Sequence, residues 1–361
     1  MLIQSLELDH YRNYDTLKIN FDKGTTILFG DNAQGKTNIL EAIYLAGTTK
    51  SHKGSKDREI INFKSEESHV RMYINKNEIQ YKIDMHLRKY KSKGIAINGI
   101  QIKKASELLG LVNIVFFSPE DLNMIKRGPG ERRRFIDLEL CQLDKLYLYQ
   151  LTNYNKILNH RNKLLKEITF YKEYESMLDL WDEQLIDYGR KIIERRERFV
   201  KELNGILYEI HKNLSGEKEN LYVKYEPDVE KDGLREKLLK NRDRDMRQKI
   251  TSSGPHRDDL TFLIEKIDIR KYGSQGQQRT AALSLKLSEI ELIKKTTNDN
   301  PILLLDDVLS ELDRKRQDYL LNNIGNIQTI ITCTGLDDFI KHRFNINKVY
   351  KVTEGTVEKR N

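Results

Sequence analysis

Eight residues near the N terminus have the types and spacing that bind a phosphate chain. Residues 30–37, with the sequence GDNAQGKT, fit the P-loop pattern G-x-x-x-x-G-K-[ST] at every fixed position. The glycines let backbone N–H groups face the phosphates, Lys36 contacts the β- and γ-phosphates, and the Thr37 hydroxyl binds Mg²⁺. The alternative is a glycine turn that only caps a helix. The predicted ATP-contacting residues are Gly30, Asp31, Asn32, Ala33, Gln34, Gly35, Lys36, Thr37 and Asn38.

A pair of acidic residues supplies the second half of such a site. Residues 302–305 form a short apolar run, typical of a buried strand, and Asp306 and Asp307 follow it directly. Asp306 is predicted to hold Mg²⁺, in part through water, and Asp307 to act as the catalytic base that orients the attacking water. Together with Lys36, the other predicted catalytic residue, this pair would hydrolyse ATP. The alternative is a strand that ends in an acidic turn.

Two further segments extend the pattern. Ser274 begins a Ser-Gln-Gly-Gln segment that opens a predicted helix, and a Ser-Glu-Leu-Asp segment ending at Asp313 follows the acidic pair. The order of these four motifs resembles that of the ATP-binding-cassette (ABC) ATPases. The resemblance implies that Ser274, Gly276 and Gln277 contact ATP held by a second subunit, so that ATP joins two chains, and that Asp313 also lies at the nucleotide. A helix N terminus favours anions, but a simple N-cap is the alternative for Ser274.

Longer blocks narrow the resemblance to one family. They are residues 8–14 (LDHYRNY), 32–42 (NAQGKTNILEA), 117–122 (FSPEDL), 126–129 (KRGP), 132–135 (RRRF) and 254–260 (GPHRDDL). Together these blocks resemble the RecF family of bacterial DNA replication and repair proteins, which are SMC-like ABC ATPases without the long coiled coil. The likeness extends from Leu2 to about Thr334, and it implies that Arg12 and Asn13 contact the nucleotide, with a purely structural role as the alternative.

The family resemblance implies an ATP-driven DNA-binding function. A homodimer would form on ATP binding as a clamp on duplex or gapped DNA, with little sequence preference, and slow, DNA-stimulated ATP hydrolysis would release it. A role in recombinational repair and replication restart is also implied, in which the mediators RecR and RecO help to load a recombinase. A P-loop ATPase that acts on a protein or a small molecule without DNA is the alternative.

Basic residues in and near these blocks have two interpretations. They could contact DNA phosphates, which would give salt-dependent binding, or they could belong to a solvated charged surface. His256 and Arg257 could likewise approach the nucleotide or DNA, or fix the turn that follows Gly254. The candidate DNA contacts are Arg132, Arg133, Arg134, Lys53, Lys56, Lys91 and Lys93.

Four positions depart from the general ABC pattern. Asp307 stands where most ABC ATPases have glutamate, and its shorter side chain suits slow hydrolysis. Gln275 replaces the first glycine of the usual signature. No histidine directly follows the strand predicted over 329–332, and residues 116–122 contain no glutamine.

The elements that must position these residues belong to an α/β fold. Thr25–Phe29 is predicted to be a strand that ends at the P-loop, and residues 36–46 to be the helix that follows it. The long stretch without proline or glycine in the middle of the chain predicts helices. Further strands are predicted over 79–87, 111–117, 260–264, 302–305 and 329–332, with a hairpin turn at Asn98 and Gly99.

The predicted fold is therefore an ABC/SMC-like P-loop ATPase head with an inserted α-helical domain. The discontinuous ATPase domain is predicted to comprise residues 1–125 and 246–361, and the helical domain residues 126–245. A chain of 361 residues is long enough for two such domains.

Composition sets the remaining expectations. The chain has 63 Lys and Arg against 55 Asp and Glu, a net charge of +8, which fits either nucleic-acid binding or ordinary solubility. It has no 18-residue apolar run and no signal-peptide pattern at the start, so no membrane partner and a cytoplasmic location are expected. Cys141 and Cys333 lack metal-ligand spacing and are expected to be reduced and structural.

Overall fold

The computed structural model describes residues 1–335 and 346–360. The strands are β1 (Leu2–Tyr11), β2 (Tyr14–Asn20), β3 (Thr25–Phe29), β4 (Glu67–Lys76), β5 (Ile79–Arg88), β6 (Gly94–Ile97), β7 (Ile100–Gln101), β8 (Ile114–Phe117), β9 (Leu221–Glu226), β10 (Asp259–Ile264), β11 (Ile267–Asp268), β12 (Ile302–Asp306), β13 (Thr329–Cys333), β14 (Ile346–Thr353) and β15 (Thr356–Arg360). The α-helices are α1 (Lys36–Thr48), α2 (Asp57–Ile60), α3 (Leu122–Lys126), α4 (Pro129–Leu143), α5 (Lys145–Glu167), α6 (Leu178–Ser215), α7 (Leu234–Lys240), α8 (Arg242–Gln248), α9 (Ile269–Tyr272), α10 (Gln275–Thr297) and α11 (Arg314–Asn323).

The chain divides into two compact units. The first unit comprises residues 1–121 and 289–361, and the second comprises residues 122–288, so one boundary lies within α10. The second unit is longer than the predicted helical domain, 126–245, because it also holds the strands β10 and β11 and the first part of α10. The functional division at residues 126 and 245 stays a prediction.

The first unit is built on two six-stranded sheets. One has the order β2-β1-β4-β5-β6-β7 with antiparallel pairs, and the other has the order β15-β14-β3-β13-β12-β8. In the second sheet β14, β3, β13, β12 and β8 run parallel. The carboxyl ends of parallel strands meet at one edge, where α/β sheets bind their ligands. Residues that follow β3 and β12 therefore come together at that edge.

Helix α1 packs against both sheets of the first unit. Ile39, Leu40 and Ile43 form an apolar face on this helix, but burial continues around the helix, from Ile39 through Thr48. Even the carboxylate of Glu41 is fully buried. Because the helix contacts a sheet on two sides, little of its surface faces solvent. Residues outside the apolar face are therefore buried as well.

The second unit contains the long helices and a small antiparallel sheet with the order β11-β10-β9. Helix α6 spans 38 residues and packs against α5. The break between them falls at residues 168–177, a segment that is rich in aromatic and β-branched residues. Strand β9 lies inside the region predicted to be helical, and that local expectation was wrong. Its Leu221 and Val223 are buried, and β10 pairs with it along its whole length.

Most of the predicted elements are confirmed. The strand before the P-loop has the predicted bounds, and the hairpin at Asn98 and Gly99 joins β6 to β7. Cys141 and Cys333 are buried and form no disulfide. Within the described ranges, no helix combines the length and apolar character that a bilayer span requires.

Candidate nucleotide-binding site

The P-loop has the backbone conformation that its glycines were predicted to allow. Gly30 has φ +151° and Gly35 has φ +113°, both in the region that L side chains rarely adopt. A Cβ atom on Gly30 would lie 2.3 Å from the carbonyl oxygen of Val352, and one on Gly35 would lie 2.6 Å from the side-chain amide of Asn13. Both positions therefore require glycine.

The loop leads directly into the N terminus of α1. Among the described residues, no side chain caps this end of the helix, whose N-cap is Gly35. No side chain therefore competes with an anion for the first N–H groups of the helix, and the helix dipole favours negative charge at the same place. These are the properties of a phosphate site at a helix N terminus.

Lys36 lies inside the curve of the loop. Its Nζ donates hydrogen bonds to the carbonyl oxygens of Gly30, at 2.6 Å, and Asp31, at 2.7 Å. Burial lowers the pKa of Lys36, while the charges of Asp307 and Asp306 act in the opposite direction. The ammonium group is therefore held by backbone oxygens at the position where a phosphate oxygen would neutralise it.

Asn13 supports the loop from the turn between β1 and β2. Its Nδ2 donates to the carbonyl oxygen of Gln34 at 3.0 Å, and its Oδ1 accepts from Nδ2 of Asn38 at 2.8 Å. The Tyr14 hydroxyl donates to the carbonyl oxygen of Gly35 at 3.1 Å. Asn13 was predicted to contact the nucleotide; the contacts that the structure gives it are with the P-loop and α1.

Arg12 lies next to Asn13 and is bound by protein groups. Its Nε and one terminal nitrogen donate to the two carboxylate oxygens of Glu41, each at 2.8 Å. The same side chain also donates to the Glu59 carbonyl and to Ser55. Burial alone would raise the pKa of Glu41, yet hydrogen bonds from Arg12 and Ser51 hold it below its usual value. This ion pair fixes the β1–β2 turn to α1, a contact that the sequence did not predict.

The predicted magnesium residues come together. Asp306 ends β12, and its Oδ1 accepts hydrogen bonds from Oγ1 of Thr37, at 2.8 Å, and Oγ1 of Thr332, at 2.7 Å. Hydroxyl and carboxylate oxygens are ligands that Mg²⁺ prefers, so Thr37 and Asp306 fit the ion. Thr332 is not among the residues that the sequence predicts for this site. The available signal was a polar residue near the end of the apolar strand β13. This strand is the neighbour of β12, which ends in the acidic pair.

Asp307 follows at the same sheet edge with φ +52°. Its N–H donates to Oγ1 of Thr332 at 3.0 Å, and its carbonyl oxygen accepts from Oγ of Ser310 at 2.8 Å. Burial raises the pKa of the Asp307 carboxyl, and the neighbouring charge of Asp306 raises it further. A carboxylate with a raised pKa is a better proton acceptor, which suits a base that orients water.

The signature segment lies in the second unit. Ser274 is exposed and precedes α10. Its Oγ accepts from the N–H of Gln277 at 3.2 Å, and the side-chain oxygen of Gln277 accepts from the N–H of Ser274 at 2.9 Å. This reciprocal pair is a capping box. Gln278 donates to the carbonyl oxygen of Ile269 at 2.8 Å and so fixes α10 to α9. Ser274 thus has the N-cap geometry, which leaves its predicted role across a dimer open.

Asp313, in the loop after the acidic pair, is the N-cap of α11. Its Oδ1 accepts from the N–H of Arg316 at 3.0 Å, and the side chain is exposed. Asp313 and Ser310 therefore bracket a short turn directly after Asp307. The segment thus joins the end of β12 to the start of α11.

Several basic candidates have structural partners. Arg132 is only 1% exposed and pairs with Asp259 at 2.6 Å, so its prediction as a DNA contact was wrong. Lys93 donates to the Thr49 carbonyl and to Asp57. Lys53, Lys56, Lys91 and Arg134 are exposed.

His256 has the contacts of a structural residue. Its Nδ1 lies 2.7 Å from the Tyr154 hydroxyl, and its Nε2 lies 3.1 Å from the carbonyl oxygen of Thr251. Burial lowers the pKa of His256 to about 4, so the ring is neutral near pH 7. A neutral, half-buried imidazole that is held by two protein groups does not attract phosphate, which favours the turn-fixing interpretation. Its neighbour Arg257 is exposed.

The fold and the site define the class of protein: an SMC-like ATPase head of the ATP-binding-cassette type. The sequence model of the RecF/RecN/SMC N-terminal domain family matches residues 2–358. DNA replication and repair protein RecF of Agathobacter rectalis is 60% identical over 358 residues, which is 99% of each chain. The chain belongs to the RecF family.

Solved structures agree with this assignment. A structure of the recombination mediator protein RecF with ATP, described as part of the RecFOR pathway, has a TM-score of 0.93 and 36% identity, and the match covers 99% of this chain and 97% of that one. An Smc head bound to the C-terminal winged-helix domain of ScpA has a TM-score of 0.59 at 19% identity, covering 100% of this chain and 97% of that one. The Smc likeness concerns the fold alone, and the predicted fold class is confirmed.

Proposed function

We propose that this protein is an ATP-dependent DNA clamp that acts in recombinational repair and replication restart. The observation that carries the proposal is the convergence of Lys36, Thr37, Asp306 and Asp307 at one sheet edge, with Ser274 exposed on a separate unit. The first group can hold and cleave a triphosphate. The second is available to another molecule of the same chain.

ATP and Mg²⁺ are the proposed cofactors. The glycine backbone and the N terminus of α1 would bind the phosphates, and Lys36 would exchange its bonds to loop carbonyls for bonds to the β- and γ-phosphates. Thr37 and Asp306 would hold Mg²⁺, which neutralises charge on the phosphates. Asp307 would accept a proton from, or orient, the attacking water. The name of the RecF–ATP structure supports the choice of nucleotide.

A composite site would couple ATP to dimer formation. Ser274, Gly276 and Gln277 of one chain would contact the γ-phosphate bound by the P-loop of another, and Asp313 would lie nearby. Hydrolysis removes the γ-phosphate that joins the two chains, so the dimer would then open. The proposed state is thus a homodimer with ATP and separate chains with ADP.

DNA is the proposed cargo, bound through phosphates with little sequence preference. The names of the relatives, which describe DNA replication and repair and a RecFOR pathway, support this choice and that of RecR and RecO as partners. The net charge of +8 is compatible with it. The rival proposal is an ATPase that acts without DNA, and it predicts a different result in the DNA-binding experiment described below.

Asp307→Asn is expected to separate binding from turnover. The variant keeps Thr37 and Asp306 for the metal, so ATP binding remains, while loss of the base slows hydrolysis by ~10²–10⁴-fold. Asparagine adopts positive φ readily, so the local backbone at this position is retained. Single-turnover hydrolysis and equilibrium ATP binding, measured on the same preparation, test this. Hydrolysis at the wild-type rate would place the base elsewhere.

DNA binding is expected to require ATP and to weaken steeply with salt. Each phosphate contact contributes a slope of about −0.9 to the plot of log affinity against log salt concentration. Fluorescence anisotropy with a gapped duplex, measured with ATP and with ADP over a salt series, gives both quantities. Equal binding in the two nucleotide states, or a flat salt response, would support the rival proposal of an ATPase that does not use DNA.

A further inference from the structure

Two histidines lie directly opposite each other on neighbouring strands of the first unit. His69 on β4 pairs in register with His86 on β5, and Asp9 on β1 pairs with His69 on its other side. Side chains of directly paired residues point to the same face of an antiparallel sheet. Glu67 lies two residues before His69 and therefore faces the same way. The row brings two imidazoles and two carboxylates to one exposed patch.

The side chains of this row are close together. The rings of His69 and His86 stack with centroids 4.2 Å apart and planes at 16°. Nε2 of His86 lies 2.7 Å from Oε2 of Glu67. One ligand atom from each of Glu67, His69 and His86 lies within 4.8 Å of the other two. Small rotations of exposed side chains would place the three atoms around one ion.

The donor set selects a class of metal. Imidazole nitrogens suit Zn²⁺, Cu²⁺ and Ni²⁺, with nitrogen bonds of about 2.0–2.1 Å for Zn²⁺. Mg²⁺, the ion proposed for the nucleotide site, prefers an all-oxygen shell. Asp9 faces the same side of the sheet beside His69, outside this group of three close ligand atoms. None of these four residues takes part in the nucleotide site.

We propose that Glu67, His69 and His86 form a binding site for a divalent transition metal, with Zn²⁺ as its representative ion. Two imidazoles and one carboxylate would bind the metal, which would thereby link β4 to β5. Binding requires unprotonated rings. The simpler arrangement is a stacked histidine pair with a His86–Glu67 hydrogen bond and no metal affinity.

Zinc affinity of the full-length chain without an affinity tag tests the site. We expect about one Zn²⁺ per chain, measured by competition with a chromogenic chelator in excess Mg²⁺ and without nucleotide. His69→Gln and His86→Gln should each weaken binding about tenfold or more, since even outer partners of metal ligands contribute 10–100-fold. His160→Gln is the matched control: this exposed histidine stacks on Trp181 in the second unit. The zinc affinity of His160→Gln should equal that of the wild type.

A spectroscopic readout identifies the ligands. Cu²⁺ bound to the wild type should give an electron paramagnetic resonance spectrum with coupling to two nitrogens, and His86→Gln should retain one. Zn²⁺ should also raise the melting temperature of the wild type but not of the His69→Gln/His86→Gln double variant, because an ion that binds only the folded state stabilises it. Equal zinc affinity in the wild type and the double variant would overturn the proposal.

Discussion

Lys36→Met is expected to lower ATP affinity about 100-fold or more. The wild-type ammonium would donate to two phosphates, and charge-assisted hydrogen bonds contribute about 1.5–3 kcal/mol each. Loss of about 3 kcal/mol corresponds to roughly a hundredfold change in the dissociation constant. The methionine side chain keeps the length and apolar contacts of the lysine stem. Titration with a fluorescent ATP analogue measures the change.

Two further variants test whether the loss of ATP affinity comes from the charge and position of Lys36. Lys36→Arg keeps the charge but not the shape, so it should bind ATP better than Lys36→Met and still position the γ-phosphate poorly. Lys23→Met removes an exposed lysine from the same unit and should bind as the wild type does. Wild-type affinity in Lys36→Met would reject the proposed phosphate site.

Ser274→Arg is expected to abolish ATP-dependent dimerisation while leaving ATP binding by the single chain intact. Ser274 is exposed, and its proposed neighbour is the triphosphate of a second chain. An arginine would fill that space, so hydrolysis should be lost together with the dimer. Light scattering with ATP and with ADP measures the oligomeric state. Titration with the fluorescent ATP analogue, as for the Lys36 variants, measures ATP binding.

The capping role of Ser274 requires its own control. Loss of an N-cap destabilises a helix by about 1 kcal/mol, and Ser274→Ala removes the cap without adding bulk. If capping alone mattered, Ser274→Ala and Ser274→Arg would lose dimerisation equally. Ser176→Arg, at another exposed serine of the second unit, should behave as the wild type.

Mixing the two variants gives the sharper result. A Ser274→Arg chain has a sound P-loop, and a Lys36→Met chain has a sound signature, so the pair can assemble one complete site. Part of the ATPase activity should return in the mixture when each variant alone has none. Normal hydrolysis by Ser274→Arg as a monomer would exclude the composite site.

The parts of the site that the sequence predicts are those set by local chemistry. Gly35 and Lys36 sit in one short loop, and the strand that ends in Asp306 is a continuous apolar run, so local sequence specifies each. That Thr37 meets Asp306 follows from the rule that parallel strands end at one edge. These features need no knowledge of distant packing.

Contacts between residues far apart in the chain were not predictable. The family resemblance predicts a nucleotide contact for Arg12, and this stays a prediction. Its bonds to Glu41 could not be predicted, because they depend on how the turn after β1 packs on α1. In the second unit, Arg161 is fully buried and pairs with Asp182 and Asp245, which lie in two other helices. A single sequence with 33% charged residues offers many such pairs and does not select among them. Strand β9 was missed for the same reason, because pairing with β10 decides its conformation.

The strand order of the nucleotide sheet has a consequence for biosynthesis. Strand β3 carries the P-loop at its end, yet both its neighbours, β13 and β14, lie about 300 residues later in the chain. At a translation rate of ~5–20 residues per second, β3 waits ~15–60 s for them. A chain released before residue 302 lacks β12 to β15 and so has neither Asp306 nor the sheet around the loop. Incomplete chains of this length therefore lack the acidic half of the proposed nucleotide site, although they still carry the P-loop and Ser274.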